Sequence, residues 1–148
     1  MVDAAAAVPN RTTASAEVDP EVIERFESLP RLLEADHVLL RAGRWLNVDC
    51  LLGPIGRPFL VAIRQGRITK MSAAPKPMPS WRFSYTASSR AWTEYWRPEP
   101  GPGWHDLLAL TKRGEASLEG DLHPFMTHLQ YFKDLLALPR SGISGTIS

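Results

Sequence analysis

Four of the chain's five tryptophans lie between Trp81 and Trp104, interleaved with Phe83, Tyr85 and Tyr95. This is more aromatic area than a small core needs, and each indole N–H wants a partner when buried. Such a cluster can wall a pocket for an apolar small molecule, or it can simply be core. The other reactive side chains assemble into nothing comparable. His123 and His128 are five residues apart and miss the i, i+4 face that holds a metal. His37 stands alone. His105 precedes Asp106, yet no Gly-x-Ser-x-Gly elbow supplies a nucleophile for a triad. Cys50 occurs on an alternating apolar stretch, where a cysteine is a small hydrophobe. The residues therefore assign no catalytic group, no metal and no cofactor.

Charge is balanced overall, with 17 basic and 16 acidic side chains and a formal net charge of +1. A balance of this kind offers no global attraction to nucleic acid or to an anionic membrane. Locally it is uneven. Arg41, Arg44, Arg57, Arg64, Arg67 and Lys70 face a single acid, Asp49, over thirty residues. The stretch reads as a solvated sheet face or as a surface for an anionic partner, and it lacks the stacking aromatics of a nucleic-acid binder. Arg90 and Glu94 are spaced for a helical salt bridge.

The elements that must position these residues follow from periodicity. Asp19-Pro20 is an N-cap followed by proline at the first helical position, and Val22, Ile23, Phe26 and Leu29 recur at helical spacing. Pro30 kinks or ends that helix, with Leu32 and Leu33 continuing it. Leu46, Val48, Cys50 and Leu52 then alternate as a strand. A turn at 53–56 leads to a second strand with Phe59, Val61 and Ile63. Gln65-Gly66 is a tight turn before a short third strand, Ile68 to Met71. Residues 73–80 hold three prolines and form a loop. Trp81, Phe83 and Tyr85 place three aromatics on one face of a fourth strand, and Ser88 or Ser89 caps a helix bearing Ala91, Trp92, Tyr95 and Trp96. Trp104, Leu107, Leu108 and Leu110 form another helix ended by Gly114, and Ala116 to Glu119 a fifth strand. Asp121 caps a final helix with one continuous apolar face: Leu122, Phe125, Met126, Leu129, Phe132, Leu135 and Leu136. Trp92 and Trp96 share a face just before the Pro98–Gly103 segment, so they suggest a lid hinged by that loop.

The predicted fold class is α+β: a mixed, mostly antiparallel five-stranded sheet covered by helices on one face. The chain has 148 residues, 44% of them hydrophobic and 22% charged, which suits one globular domain. Residues 1–18 read as a disordered leader, 19–140 as the domain and 141–148 as a flexible tail. One cysteine fits a reducing, cytoplasmic compartment, and no apolar run is long enough to span a membrane.

A strand running into a helix, Phe83-Ser84-Tyr85-Thr86-Ala87-Ser88-Ser89-Arg90-Ala91-Trp92, is followed by Gly114-Glu115-Ala116-Ser117-Leu118-Glu119-Gly120-Asp121 and then the last apolar helix. This order and spacing resembles the sterol carrier protein type 2 family over most of the chain. The resemblance implies an apolar tunnel between sheet and helices that holds a lipid, an acyl chain or a sterol-like or polycyclic ligand. The tunnel-facing set would be Phe59, Val61, Trp81, Phe83, Tyr85, Trp92, Tyr95, Trp96, Trp104, Leu108, Phe125, Met126, Leu129 and Phe132. The alternative is a small enzyme or accessory subunit that uses the same cavity on an apolar substrate or docks a partner enzyme. Two departures stand out: no Ser-Lys-Leu ending, and an inserted aromatic stretch from Trp92 to Trp104. A hydrophobic ligand is the expected partner, with a homodimer or partner enzyme as further candidates.

Overall fold

Helix α1, Pro20–Glu27, begins where the sequence places its cap: the Asp19 carboxylate accepts a hydrogen bond from the Glu21 N–H at 2.9 Å. The computed structural model describes residues 18–73 and 80–140, so the expected leader, the tail and most of the 73–80 loop lie outside the described residues. Val22 and Phe26 are buried on the inner face of α1. Ser28 interrupts the helix, and α2, Leu29–Glu34, resumes with Pro30 in its first turn, where a missing N–H costs nothing. A third helix, α3, His37–Ala42, is an addition to the predicted set. Its N-cap is Asp36, whose carboxylate accepts from the Leu39 N–H at 3.0 Å. At six residues, α3 is too short for periodicity to announce.

The sheet follows. Strand β1 is Asn47–Pro54, β2 Phe59–Arg64, β3 Arg67–Ala73, β4 Phe83–Ala87 and β5 Ala116–Gly120. Their order is β3-β2-β1-β4-β5. The β1–β2, β2–β3 and β4–β5 pairs are antiparallel, while β1–β4 is parallel. The expected mixed sheet is therefore present. Tight turns make antiparallel neighbours, and the long β3–β4 connection brings β4 beside β1 in the same direction. In the Gln65-Gly66 turn both φ angles are positive, 54° and 80°, the twist that suits a two-residue hairpin.

Register places Cys50 opposite Val61 and beside Phe83, and Leu52 opposite Phe59 and beside Tyr85. These side chains share one face and form a single core with Val22, Phe26, Leu29, Leu33, Leu39 and the later helices. The other face carries Asp49, Ala62, Arg64, Thr86, Ser117 and Glu119, together with Leu51 and Ser84. The helices therefore lie on one side of the sheet.

Boundaries differ from the sequence reading at several elements: the third strand is longer, Arg67–Ala73, and the last helical stretch starts from Leu122, not from an Asp121 cap. Trp81 precedes β4 rather than opening it, and β1 runs through Gly53-Pro54 before the turn. Helix α5, Leu107–Lys112, starts at its Asp106 cap, leaving Trp104 in the preceding turn. The continuous last helix is two: α6, His123–Thr127, and α7, Leu129–Leu136, separated by non-helical His128 at φ −113°, ψ 36°. The break leaves the apolar spacing intact, so a count of positions does not register it. Helix α4, Ser89–Tyr95, is capped by the Ser88 hydroxyl, which accepts from the Ala91 N–H at 3.0 Å.

Candidate functional site

The aromatic strand and the last helices meet on one side of the sheet. The Phe83 ring lies edge-on to Phe125 at 5.4 Å and to Phe132 at 5.2 Å, Tyr85 stacks on Phe125 at 5.8 Å, and Phe125 stacks on Phe132 at 5.5 Å. A second knot joins α1 to α4, with Phe26 against Trp92 at 4.9 Å, Trp96 at 5.6 Å and Phe59 at 5.9 Å. Tyr85 links the knots through Trp92 at 5.9 Å. The rings touch each other in edge and offset geometries, which gives the core about 0.5–1.5 kcal/mol per pair beyond burial.

Of the residues singled out in the sequence, Phe59, Val61, Phe83, Tyr85, Trp92, Tyr95, Trp96, Phe125 and Phe132 are buried in this core. Trp104, Leu108 and Leu129 are half-buried and pack against it. Trp81 is half-buried at the edge of β4. Met126 is 47% exposed and Leu122 38% exposed, both on the outer side of α6 or its approach. Among the five residues of α6 only Phe125 is buried.

Trp92 and Trp96 are posts rather than a lid. The Trp92 Nε1–H donates to the Gly53 carbonyl at 3.1 Å, and the Trp96 Nε1–H to the Leu136 carbonyl at 2.7 Å. The Tyr95 hydroxyl donates to the Lys133 carbonyl at 2.9 Å, and Arg140 returns a bond to the Tyr95 carbonyl at 2.7 Å. Helix α4 is thus tied to β1 and α7 on both sides of its inner face. Sequence spacing showed the shared face but not its carbonyl partners, which are about forty residues away in the chain.

Burial pushes the Cys50 thiol and the Tyr85, Tyr95 and Tyr131 phenols well above their ordinary ranges; at Tyr95 the nearby Arg140 offsets part of the rise. Tyr85 donates to the Leu107 carbonyl at 2.7 Å. Asp106 is occupied as the α5 cap, accepting from the Leu108 N–H at 3.1 Å, and lies 3.5 Å from Lys133. The expected Arg90–Glu94 pair is not the one formed: Glu94 pairs with Arg97 at 2.8 Å. Arg90 instead stacks on Trp104 at 4.9 Å, and Arg113 does so at 4.0 Å. The indole face offers Arg90 a flat cation partner, while the half-buried Glu94 carboxylate is taken by Arg97.

Two of the surface hollows beside the helices have apolar side chains in their walls. One, of about 230 Å³, lies between α1 and the end of α4, with Trp96, Arg25 and Arg97 in its wall. The other, of about 780 Å³, is a shallow groove along α3 and the end of α7, walled by Leu32, Val38, Ala42, Ala137 and Leu138. Among the described residues no helix is long and apolar enough to cross a membrane.

No protein-family model matches the chain, and no curated protein sequence matches it. Solved structures do. A crystal structure of sterol carrier protein 2 aligns with a TM-score of 0.62 at 16% identity, covering 80% of this chain and 95% of its own. The solution structure of a conserved hypothetical protein of Thermus thermophilus, described as possibly a sterol carrier protein, aligns with a TM-score of 0.55 at 14% identity, covering 85% and 93%. UbiJ-SCP2, described as a ubiquinone synthesis protein, aligns with a TM-score of 0.53 at 15% identity, covering 90% and 96%. With the strand order, the one-sided helix layer and these alignments together, the chain has the sterol carrier protein 2 fold.

Proposed function

We propose that this chain binds an apolar small molecule, a lipid, acyl chain or polycyclic ligand, between β4 and the α6–α7 layer. The observation that carries the reading is Phe125. It fills the space walled by Phe83, Tyr85 and Phe132, and it is the only buried side chain of a five-residue helix with irregular backbone on both sides. An outward turn of α6 would withdraw one ring and vacate an apolar, aromatic-walled space. Met126 and Leu122 are already exposed at its rim. Leu118, cross-strand from Tyr85, and Leu129 extend the apolar wall. The gain on binding would be about 25 cal/mol per Å² of apolar surface buried, less the cost of moving α6 and ordering the ligand.

The names of the structural neighbours support a lipid-binding role of this general kind. Catalysis in the same space is disfavoured, because burial holds Cys50 and the three tyrosines protonated and Asp106 is already engaged. An accessory role beside a partner enzyme is a second reading, favoured by the likeness to UbiJ-SCP2 over 90% of the chain.

Phe125→Ala tests the proposal. The variant should lose about 3–5 kcal/mol of stability from the cavity it leaves. A long-chain fatty acid should restore much of that loss, and should bind the variant more tightly than the parent. A fatty-acid series and a set of polycyclic probes that change neither melting temperature nor indole fluorescence in either protein would overturn the reading. Native mass spectrometry of protein from its own cells separates the two roles: a co-purifying apolar molecule supports the carrier, a stoichiometric protein the accessory subunit.

A further inference from the structure

Two guanidiniums lie over one indole. The central carbon of the Arg90 guanidinium is 4.9 Å from the centroid of the Trp104 ring, and that of Arg113 is 4.0 Å from it. Arg90 stands in the first turn of α4, and Arg113 is the C-cap of α5. Trp104 sits in the turn before α5, its N–H donating to the Gly101 carbonyl at 3.0 Å. Gly103 makes the close stack possible, because a Cβ there would lie 2.6 Å from Arg113 Nη1. Ser88 fixes the two arginines relative to each other. Its N–H donates to the Glu115 carbonyl at 3.0 Å and its hydroxyl to the Glu115 carboxylate at 2.6 Å. The start of α4 is thereby bonded to the chain just beyond α5.

Stacking uses the flat face of a guanidinium and leaves its N–H edge for other partners. No acid claims those edges: neither Arg90 nor Arg113 has a carboxylate partner among the described residues. The neighbouring acids are engaged elsewhere. Glu115 holds Ser88, and Glu94 pairs with Arg97 at 2.8 Å. Arg25, Arg64, Arg67 and Arg82, by contrast, each pair with an acid of their own. Both stacked arginines are exposed, and Trp104 is half-buried. The outcome is two unneutralised, oriented cations beside a partly uncovered indole.

We propose that Arg90, Trp104 and Arg113 form a docking surface for an acidic segment of a partner protein. The proposal rests on the accessory-subunit reading and names the chemistry of the partner. Charge complementarity sets the sign. Multiplicity sets the class, because a lone small anion on exposed guanidiniums gains little over its own hydration. A polypeptide can place carboxylates on both guanidiniums and cover the indole, which excludes water from all three groups. Arginine and tryptophan are the residues that then carry affinity. A nucleic acid fits less well, since guanidiniums already occupy the ring on which a base would stack.

The experiment is fluorescence anisotropy of a fluorescein-labelled oligoglutamate peptide titrated with the full chain, at low and at physiological salt. Binding should occur and should weaken with salt. Arg90→Gln and Arg113→Gln should each weaken it about fivefold, the scale of one lost charge-assisted contact. Gly103→Ala keeps every charge but displaces the Arg113 guanidinium, and should weaken binding about as much as Arg113→Gln. Arg41→Gln, on α3, removes an equal charge and should leave binding unchanged. Circular dichroism establishes that each variant is folded. Absence of peptide binding overturns the proposal, as does unchanged binding by Arg90→Gln, Arg113→Gln or Gly103→Ala, or an equal loss in Arg41→Gln. Inorganic phosphate that displaces the peptide far better than chloride at equal ionic strength would overturn it by assigning the site to a small anion. Tighter binding of oligothymidylate, lost in the same variants, would overturn it in favour of nucleic acid. Native mass spectrometry reports on the accessory reading itself, so failure of that reading and failure of this surface are told apart.

Discussion

Three buried tyrosines act here as hydrogen-bonding struts. Tyr85, Tyr95 and Tyr131 each donate to a backbone carbonyl of a distant element: Leu107, Lys133 and Gly66. Burial is the main reason that their folded-state pKa values are raised above the unfolded value of 10.0. The folded state therefore holds these protons more tightly than the unfolded chain. Their stabilisation is complete below pH about 10 and is lost as pH rises above it, at about 1.4 kcal/mol per pH unit for each group. Cys50 acts in the same direction, starting from its unfolded value of 9.0. Urea midpoints should be flat up to pH about 9 and then fall steeply, with a shallower fall in Tyr131→Phe. At neutral pH, Tyr85→Phe should cost about 1–2 kcal/mol, since one buried bond is lost and the ring packing is kept. Folded Cys50 should resist thiol reagents until the protein unfolds.

At the scale of elements, the contrast is between α4 and α6. Helix α4 buries Ala91, Trp92 and Tyr95, with Trp96 at its C-terminal end, and is bonded through three side chains to β1 and α7. Trp96→Ala should cost about 3–5 kcal/mol, read from denaturant unfolding, and leave the fatty-acid affinity of the remaining folded protein little changed. Helix α6 buries one ring, so its amides should exchange faster than those of α4 in native-state hydrogen exchange, and an apolar ligand should slow them. Caps matter at the same scale. Asp36→Ala removes the acceptor for the Leu39 N–H and should destabilise the chain by about 1 kcal/mol.

For the whole molecule, one core joins the sheet to helices from both ends of the sequence. Phe26 of α1 touches Trp92 of α4, and Arg25 of α1 donates to the Pro139 carbonyl beyond α7 at 2.8 Å. Unfolding of the chain should then be one cooperative transition, with indole fluorescence and far-ultraviolet circular dichroism coinciding in urea. Separate transitions would mean that the α6–α7 layer unfolds apart from the sheet.

Local chemistry was legible in the sequence wherever one residue or one period decides the outcome. Asp19-Pro20 and Ser88 cap their helices as expected, Gln65-Gly66 makes its hairpin, and alternation in β1, β2 and β4 assigns the core face residue by residue. The order of elements sufficed to recognise the fold. Tertiary structure alone decided the rest, because it depends on partners remote in the chain. Trp92 and Trp96 read equally well as lid or core until the carbonyls of Gly53 and Leu136 came within reach. Arg90 turned to Trp104 instead of Glu94, and the last apolar face broke at His128 without any change of period. Trp45 lies just before β1 and is exposed, and Gly43 before it packs closely on Gly66 and Tyr131, a contact no local period announces. Periodicity reports which residues share a face; what that face meets is settled by the fold.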